Sequence, residues 1–463
     1  MPKRNQKTRK SKQPKVQDLL QEIKNPNAAG IDLASDEAVV AVPPGRDPSS
    51  PVRTHTLFTR GLHELRDWLL ECKVSTVAVE STGNYWVCLY EVLEEAGIEV
   101  WLVNARHVKR VPGRKTDVCD AQWLQQLHAS GLLTRAFRPA AKFVGLRHLM
   151  RHRAGLLQRA SAALLMVQKT MIECNLRLHD VISDLDGQTG QGIVEAILAG
   201  EDDPQKLAAM RHRRCRASHQ EIVDALQGHY RPEYLFVLEQ DWAHWKQTRA
   251  AIEQCDQKIS QLLTAIEIEE SYPEAKIQSA ARPSKNSFGF DLQQEALRFY
   301  GVDLCSTPGI STSTVAVLMS EVGSRAELLK HFANAQAFCS WLCLCPENRI
   351  TGGKVYSSKT RRTSSRLAAA FRLAAHGLAN SKTTLGDYCR AMKARLGKAE
   401  GITAAAHKLA RIVYAMIAAG QSYDPEKPFS LTPRKRSRLI ASLQRKAERL
   451  GMALVPTTNV QSC

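Results

Sequence analysis

The chain has 463 residues, 44% of them hydrophobic, enough for two or more packed domains. No apolar run reaches the roughly 18 residues that span a bilayer, and the first residues lack the apolar core of a secretory signal, so an intracellular chain is expected. The 64 Lys and Arg against 46 Asp and Glu leave a net charge of +18 and a pI near 9.5. An excess of this size favours a polyanionic partner, most simply nucleic acid, although some of it also serves as solubility charge.

Residues 1–16 are rich in Lys and Arg and nearly free of apolar side chains, so a disordered basic arm is expected up to about residue 26. Strands are predicted at Ala28–Leu33, 37–42 and 54–58. A helix follows over 61–72, with Leu62, Leu65, Leu69 and Leu70 on one side. Residues 74–79, carrying Val74, Val77, Ala78 and Val79, are read as a strand of the buried, parallel type. A helix at 84–96, a strand at Glu99–Val103 and a helix at 117–130 complete the region. Strand–strand–strand–helix–strand–helix–strand–helix is the RNase-H order, so 27–140 is expected to be an α/β RNase-H/RuvC-like domain.

Residues 143–177 and 233–266 are two long helical stretches with leucine- and tryptophan-lined apolar sides, and an antiparallel coiled coil is expected within 141–266. Between them lies the basic run Arg211-His212-Arg213-Arg214-Cys215-Arg216, which suits either a nucleic-acid backbone or a solvated loop. The stretch 267–300 has the composition of a linker. A mainly α domain is expected over 301–425, with helices at Thr312–Val322, 367–378 and 402–419. Its opening, Ser306-Thr307-Pro308-Gly309-Ile310-Ser311, suits a phosphate-meeting turn of helix–hairpin–helix type or a plain connection. A basic tail with one short helix occupies 426–463. Twelve cysteines are scattered without a CxxC pair, and Cys339, Cys343 and Cys345 read as reduced thiols of an intracellular protein.

Four acids carry the candidate chemistry. Asp32 and Glu80 close the first and fourth predicted strands, and Asp117 and Asp120 lie three apart on one helix face. An RNase-H-like sheet gathers carboxylates in this way for two Mg²⁺ ions, because hard divalent cations take oxygen ligands and paired metals suit phosphodiester chemistry. Arg114 and Lys115 lie next to the acids in sequence. Each acid taken singly is equally well a cap or turn residue.

The segments Gly30-Ile31-Asp32, Val79-Glu80-Ser81-Thr82-Gly83-Asn84-Tyr85 and Lys115-Thr116-Asp117-Val118-Cys119-Asp120-Ala121 resemble the DEDD transposases of bacterial insertion sequences. These are the one-ten family and its eleven-eleven subgroup. Pro308-Gly309-Ile310, Gly352-Gly353-Lys354 and the basic run 361–372 extend the resemblance into the second half. It implies a cytoplasmic, nucleoid-associated bacterial recombinase that acts on donor and target DNA under the direction of a non-coding bridge RNA. It implies a homo-tetramer built as a dimer of dimers, with no membrane partner. It also implies a composite site, in which metal-holding acids from one subunit meet a nucleophilic serine from another and form a covalent 5′-phosphoprotein.

On this chain the four acids fall on Asp32, Glu80, Asp117 and Asp120. The family serine precedes a glycine shortly after a Leu-x-x-Pro turn. Here Leu342-Cys343-Leu344-Cys345-Pro346 leads to Ile350-Thr351-Gly352, so Thr351 stands in its place, with Ser357 and Ser358 as alternatives. Thr351 equally suits a cap on the Gly352-Gly353 turn. Lys354, Lys359, Arg361, Arg362 and Arg366 suit DNA backbone contacts or a solvated face. Two other functions stay open: a RuvC-like structure-specific endonuclease that uses water, and a non-catalytic nucleic-acid-binding protein.

Overall fold

The computed structural model describes residues 22–80, 83–104, 120–268, 270–281, 284–425 and 433–453. Most of the basic arm, Arg114, Lys115 and Asp117 lie outside the described residues. The chain divides into two compact units, 1–138 and 139–463.

The first unit is built on a five-stranded sheet. Its strands are β1 (Ala28–Leu33), β2 (Glu37–Ala41), β3 (Val52–Thr56), β4 (Thr76–Glu80) and β5 (Glu99–Val103). The order is β3-β2-β1-β4-β5. The first three strands form an antiparallel meander, whereas β1, β4 and β5 run parallel. The helices are α1 (Thr59–Glu71), α2 (Trp86–Glu95) and α3 (Asp120–Ala129). β3 begins two residues earlier than the apolar pattern suggests, because Phe58 turns out to solvent at the start of α1.

Strand periodicity sorts the side chains onto two faces. Ala29, Ile31, Leu33, Val77, Val79, Val100 and Leu102 pack with Leu62, Leu65 and Leu69 of α1 and Leu89 and Leu93 of α2. On the opposite face, Ala78 and Val103 pack with Trp123, Leu124 and Leu127 of α3. The α3 side is lined by smaller strand residues, which lets that helix lie close to β1. Gln125 Nε2 donates to the Ala28 carbonyl at 3.1 Å and ties the two together.

The second unit is mostly helical. Two long helices, α4 (Ala141–Glu173) and α9 (Pro232–Ala265), flank four short ones: α5 (Leu178–Val181), α6 (Gln188–Leu198), α7 (Pro204–Ala209) and α8 (His219–Ala225). α4 and α9 are antiparallel. Leu262 lies 3.4 Å from the Cβ position of Gly145, Arg153 pairs with Asp256, and Thr170 Oγ1 donates to Asp241 at 3.1 Å, so one residue number falls as the other rises.

Arg153 and Asp256 are both buried. Arg153 meets both carboxylate oxygens, donates to the carbonyls of Asn286 (3.3 Å) and Ser287 (3.0 Å), and lies 3.8 Å from the centre of the Phe288 ring. Asp256 also accepts from the Gly289 amide at 3.1 Å. The stretch read as a linker is thus held down here, and it contains helix α10 (Leu292–Tyr300), whose Phe299 and Tyr300 are fully buried. Asp303, also buried, accepts from the amides of Gln278, Ser279 and Cys305 and from Gln293 Nε2 at 2.9–3.3 Å. Such satisfaction is what a buried carboxylate requires.

The remaining elements are α11 (Thr312–Val322), α12 (Arg325–His331), α13 (Ala335–Trp341), the short strands β6 (Arg349–Thr351) and β7 (Lys354–Ser357), α14 (Arg366–Leu378), α15 (Thr384–Leu396), α16 (Lys398–Ala419) and α17 (Pro433–Arg449). Buried Glu321 of α11 accepts from Arg151 at 2.8 and 2.9 Å and pairs with Arg147 at 3.0 Å, fixing α11 to α4. α16 is long and apolar enough by composition to cross a membrane. It instead packs with α13, α14 and α15, burying Leu409, Val413 and Ile417, as the core helix of a globular unit does. The Pro308-Gly309 turn faces inward, since a Cβ on Gly309 would lie 2.8 Å from the Leu378 side chain.

Candidate active site

The sheet brings Asp32 and Glu80 to neighbouring strands. β1 pairs with β4 in parallel through Ile31↔Val79, and Asp32 and Glu80 are the next residue on each strand. Neighbouring strands lie about 5 Å apart. Asp32 shares a face with Gly30, and Glu80 with Ala78, so both occupy the face covered by α3. Each is half-buried.

Gly30 controls how α3 approaches. A Cβ there would lie 2.3 Å from the Ala121 carbonyl oxygen and 2.3 Å from the Gln125 amide nitrogen. Only glycine permits this contact, which brings the start of α3, at exposed Asp120, to the Asp32 end of β1. The structure therefore sets Asp32 and Glu80 on adjacent strand ends and Asp120 at the start of the helix that packs on β1. Among the described residues, no three His, Cys, Asp or Glu side chains are grouped closely enough to hold an ion. The donor chemistry nonetheless fits a hard divalent cation, because Asp32, Glu80 and Asp120 offer only oxygen ligands.

The hydroxyl candidates lie in the second unit, on an element the sequence did not suggest. β6 and β7 form a hairpin closed by Gly352 and Gly353, with φ values of 57° and 78°. Positive φ at both turn positions is the two-residue turn that matches strand twist, and glycine adopts it freely. Thr351 is paired with Lys354 across the turn, and both are exposed. The ladder shifts register between Arg349 and Ile350, so Arg349 pairs with Ser357. Along β6, Arg349 and Thr351 share one face, opposite Ile350. The register thus puts Thr351, Lys354, Arg349 and Ser357 on a common side. Ser357 Oγ accepts from the Lys359 amide at 3.4 Å, whereas Ser358 is exposed.

The basic residues divide. Arg361 Nη2 donates to the Ser340 carbonyl at 2.5 Å, which ties the segment after the hairpin to α13. Lys354, Lys359, Arg362 and Arg366 are exposed, and none forms an ion pair among the described residues. Sequence reasoning missed two contributors. Gly30 was signalled by the alternation of small Ala28 and Gly30 with larger residues along β1. Arg349 was signalled only by the glycine pair that sets its register.

Residues 29–174 match a transposase model of DEDD, IS110 type, and residues 303–389 match a model described as Transposase IS116/IS110/IS902 family. No curated protein matches the chain at a significant level. The two matches define a DNA transposase/recombinase enzyme. More particularly, the chain is an insertion-sequence transposase that carries the DEDD domain of the IS110 family, for which DNA is the substrate and a divalent metal the usual cofactor.

Proposed function

We propose that this chain is a bridge-RNA-guided, site-specific DNA recombinase of the eleven-eleven subgroup, working in the bacterial cytoplasm as a tetramer. The first unit acts as an RNase-H/RuvC-like domain, α4 and α9 as an antiparallel coiled coil, and residues 301–425 as the transposase domain. Asp32, Glu80, Asp117 and Asp120 hold two Mg²⁺ ions, whose charge would offset the negative charge building on the phosphoryl oxygens. The observation that carries this reading is the adjacency of Asp32 and Glu80 on β1 and β4 in a chain with both transposase domains.

A recombinase must keep the phosphodiester energy, so a protein hydroxyl attacks instead of water. The Thr351 oxygen bonds to phosphorus, and the bond from phosphorus to the 3′ oxygen breaks. A free 3′-hydroxyl and a 5′-phosphoprotein result, the threonine proton passing to a base and a proton from water going to the departing 3′ oxygen. An incoming 3′-hydroxyl later reverses the step on the new strand. Lys354, Lys359, Arg362 and Arg366, with Arg114, Lys115 and Arg361, bind the DNA backbone near the scissile bond. The hydroxyl comes from a different subunit than the acids. The net charge of +18 supports a complex with both RNA and DNA.

The test is an excision assay with purified chain, element-end DNA and the adjacent non-coding transcript. Excised product and a protease-sensitive DNA adduct are expected only when the transcript is present. Free 5′-phosphate ends without an adduct would instead mark a nuclease that uses water. Product formed equally well without the transcript would remove the RNA from the reading.

A further inference from the structure

The β6–β7 hairpin has a second face that the chemistry above leaves unused. Ile350 and Val355 pair directly across it and are 62% and 58% exposed. Tyr356, the extra residue at the register shift, follows Val355 and so lies on the opposite side, 79% exposed. Three large apolar side chains on one short hairpin, 349–357, are costly to leave in water.

The surroundings indicate the partner's chemistry. From Glu347 to Asp387 the sequence has no acidic residue between those two, yet it carries Arg349, Lys354, Lys359, Arg361, Arg362, Arg366, Arg372 and Lys382. A second copy of this face would bring like charges together, whereas a duplex supplies phosphates on both flanks and an apolar base stack between them. A two-stranded ribbon fits the DNA major groove, and apolar wedges unstack base steps in either groove.

We infer that the hairpin is a DNA-deforming ribbon: Arg349, Lys354 and Lys359 hold phosphates while Tyr356, which the register shift puts on their side, inserts against the bases and opens the stack, with Ile350 and Val355 lining the groove from the opposite face. This rests on the transposase reading only for the identity of the DNA site.

The test uses the full chain and an element-end duplex carrying 2-aminopurine at successive positions. Wild type should raise 2-aminopurine fluorescence at one or two adjacent steps. Tyr356→Ala should abolish that rise and weaken binding about tenfold, the loss of one stacked base, without changing the salt dependence of binding. Lys354→Ala with Lys359→Ala should instead lower the salt slope. Tyr356→Phe should behave as wild type, and circular dichroism melts of all variants should coincide, since these side chains are exposed. Fluorescence that persists in both Tyr356→Ala and the Ile350→Thr/Val355→Thr pair would overturn the inference, and a simultaneous drop in oligomer mass would assign the face to a second copy. Loss of the response on DNA but not on the adjacent transcript would likewise overturn it in favour of RNA. Failure of excision by wild type, with the fluorescence response intact, would count against the transposase mechanism alone.

Discussion

Gly30 and Ala121 are in contact through the space a side chain would fill: a Cβ on Gly30 would lie 2.3 Å from the Ala121 carbonyl oxygen. Gly30→Ala should therefore push α3 off β1 and cost about 3 kcal/mol, at the upper end of overpacking penalties. Denaturant unfolding followed by tryptophan fluorescence would read it through Trp123, which is buried on α3. Excision should fall more steeply than stability, because Asp120 moves with the helix while Asp32 stays on the strand.

Asp32→Asn and Glu80→Gln preserve shape and remove charge at two adjacent strand ends. Each should reduce strand exchange by at least about a thousandfold, as the loss of a group acting on the developing charge does, with unfolding midpoints close to wild type. Excision retained above a tenth of wild type in either variant would contradict the metal-holding role.

Thr351→Ser should retain excision and Thr351→Ala should abolish it, with the adduct peptide mapped by mass to residue 351. An adduct mapped to Ser357 or Ser358 would transfer the nucleophile along the same hairpin. Ser357 already accepts a backbone hydrogen bond from Lys359, which makes it the less available hydroxyl.

The buried Arg153–Asp256 pair invites a swap. Arg153→Met alone strands a buried carboxylate and should cost about 4 kcal/mol. Arg153→Met combined with Asp256→Leu should recover most of that, leaving the Gly289 amide unsatisfied. Urea midpoints of wild type, these two variants and Asp256→Leu alone form the cycle. Limited proteolysis near residues 284–290 should report release of that stretch in the single variant.

His128 makes the first unit sensitive to acid. Burial lowers its pKa from 6.5 to about 4, with the ring tilted against Trp101 at 5.0 Å between centroids and Nε2 2.9 Å from Thr76 Oγ1. Below pH 6.5 the unfolded chain takes up a proton that the folded chain refuses. This stabilisation is complete above pH 6.5 and is lost as pH falls toward 4, by about 3 kcal/mol. Melting temperature measured between pH 7.5 and 4.5 should drop less steeply in His128→Gln than in wild type.

The sheet was legible in the sequence because its code is local. Val77, Ala78 and Val79 are apolar in succession, as a strand covered on both faces requires, and Asp32 and Glu80 end such runs where polarity returns. The hairpin was illegible for the opposite reason. Ile350, Val355 and Tyr356 are exposed, so no burial pattern distinguishes strand from loop, and only Gly352-Gly353 signals a turn. α15 escaped notice because it buries only Leu385, Gly386 and Cys389. The docking of 267–300 depends on Arg153, Asp256 and Asp303, partners distant in sequence, so a loop-like composition concealed an ordered path.

The antiparallel helices also fix a length. From Arg151, clamped by Glu321, to Glu173 at the end of α4, a rise of roughly 1.5 Å per residue gives about 33 Å. One turn of B-form duplex is about 34 Å. That stretch of α4 runs for about one duplex turn between the α11 contact and the α5–α8 lobe. Removing seven residues, about two helical turns, from each helix would shorten that separation by about 10 Å, a change of geometry without a change of chemistry.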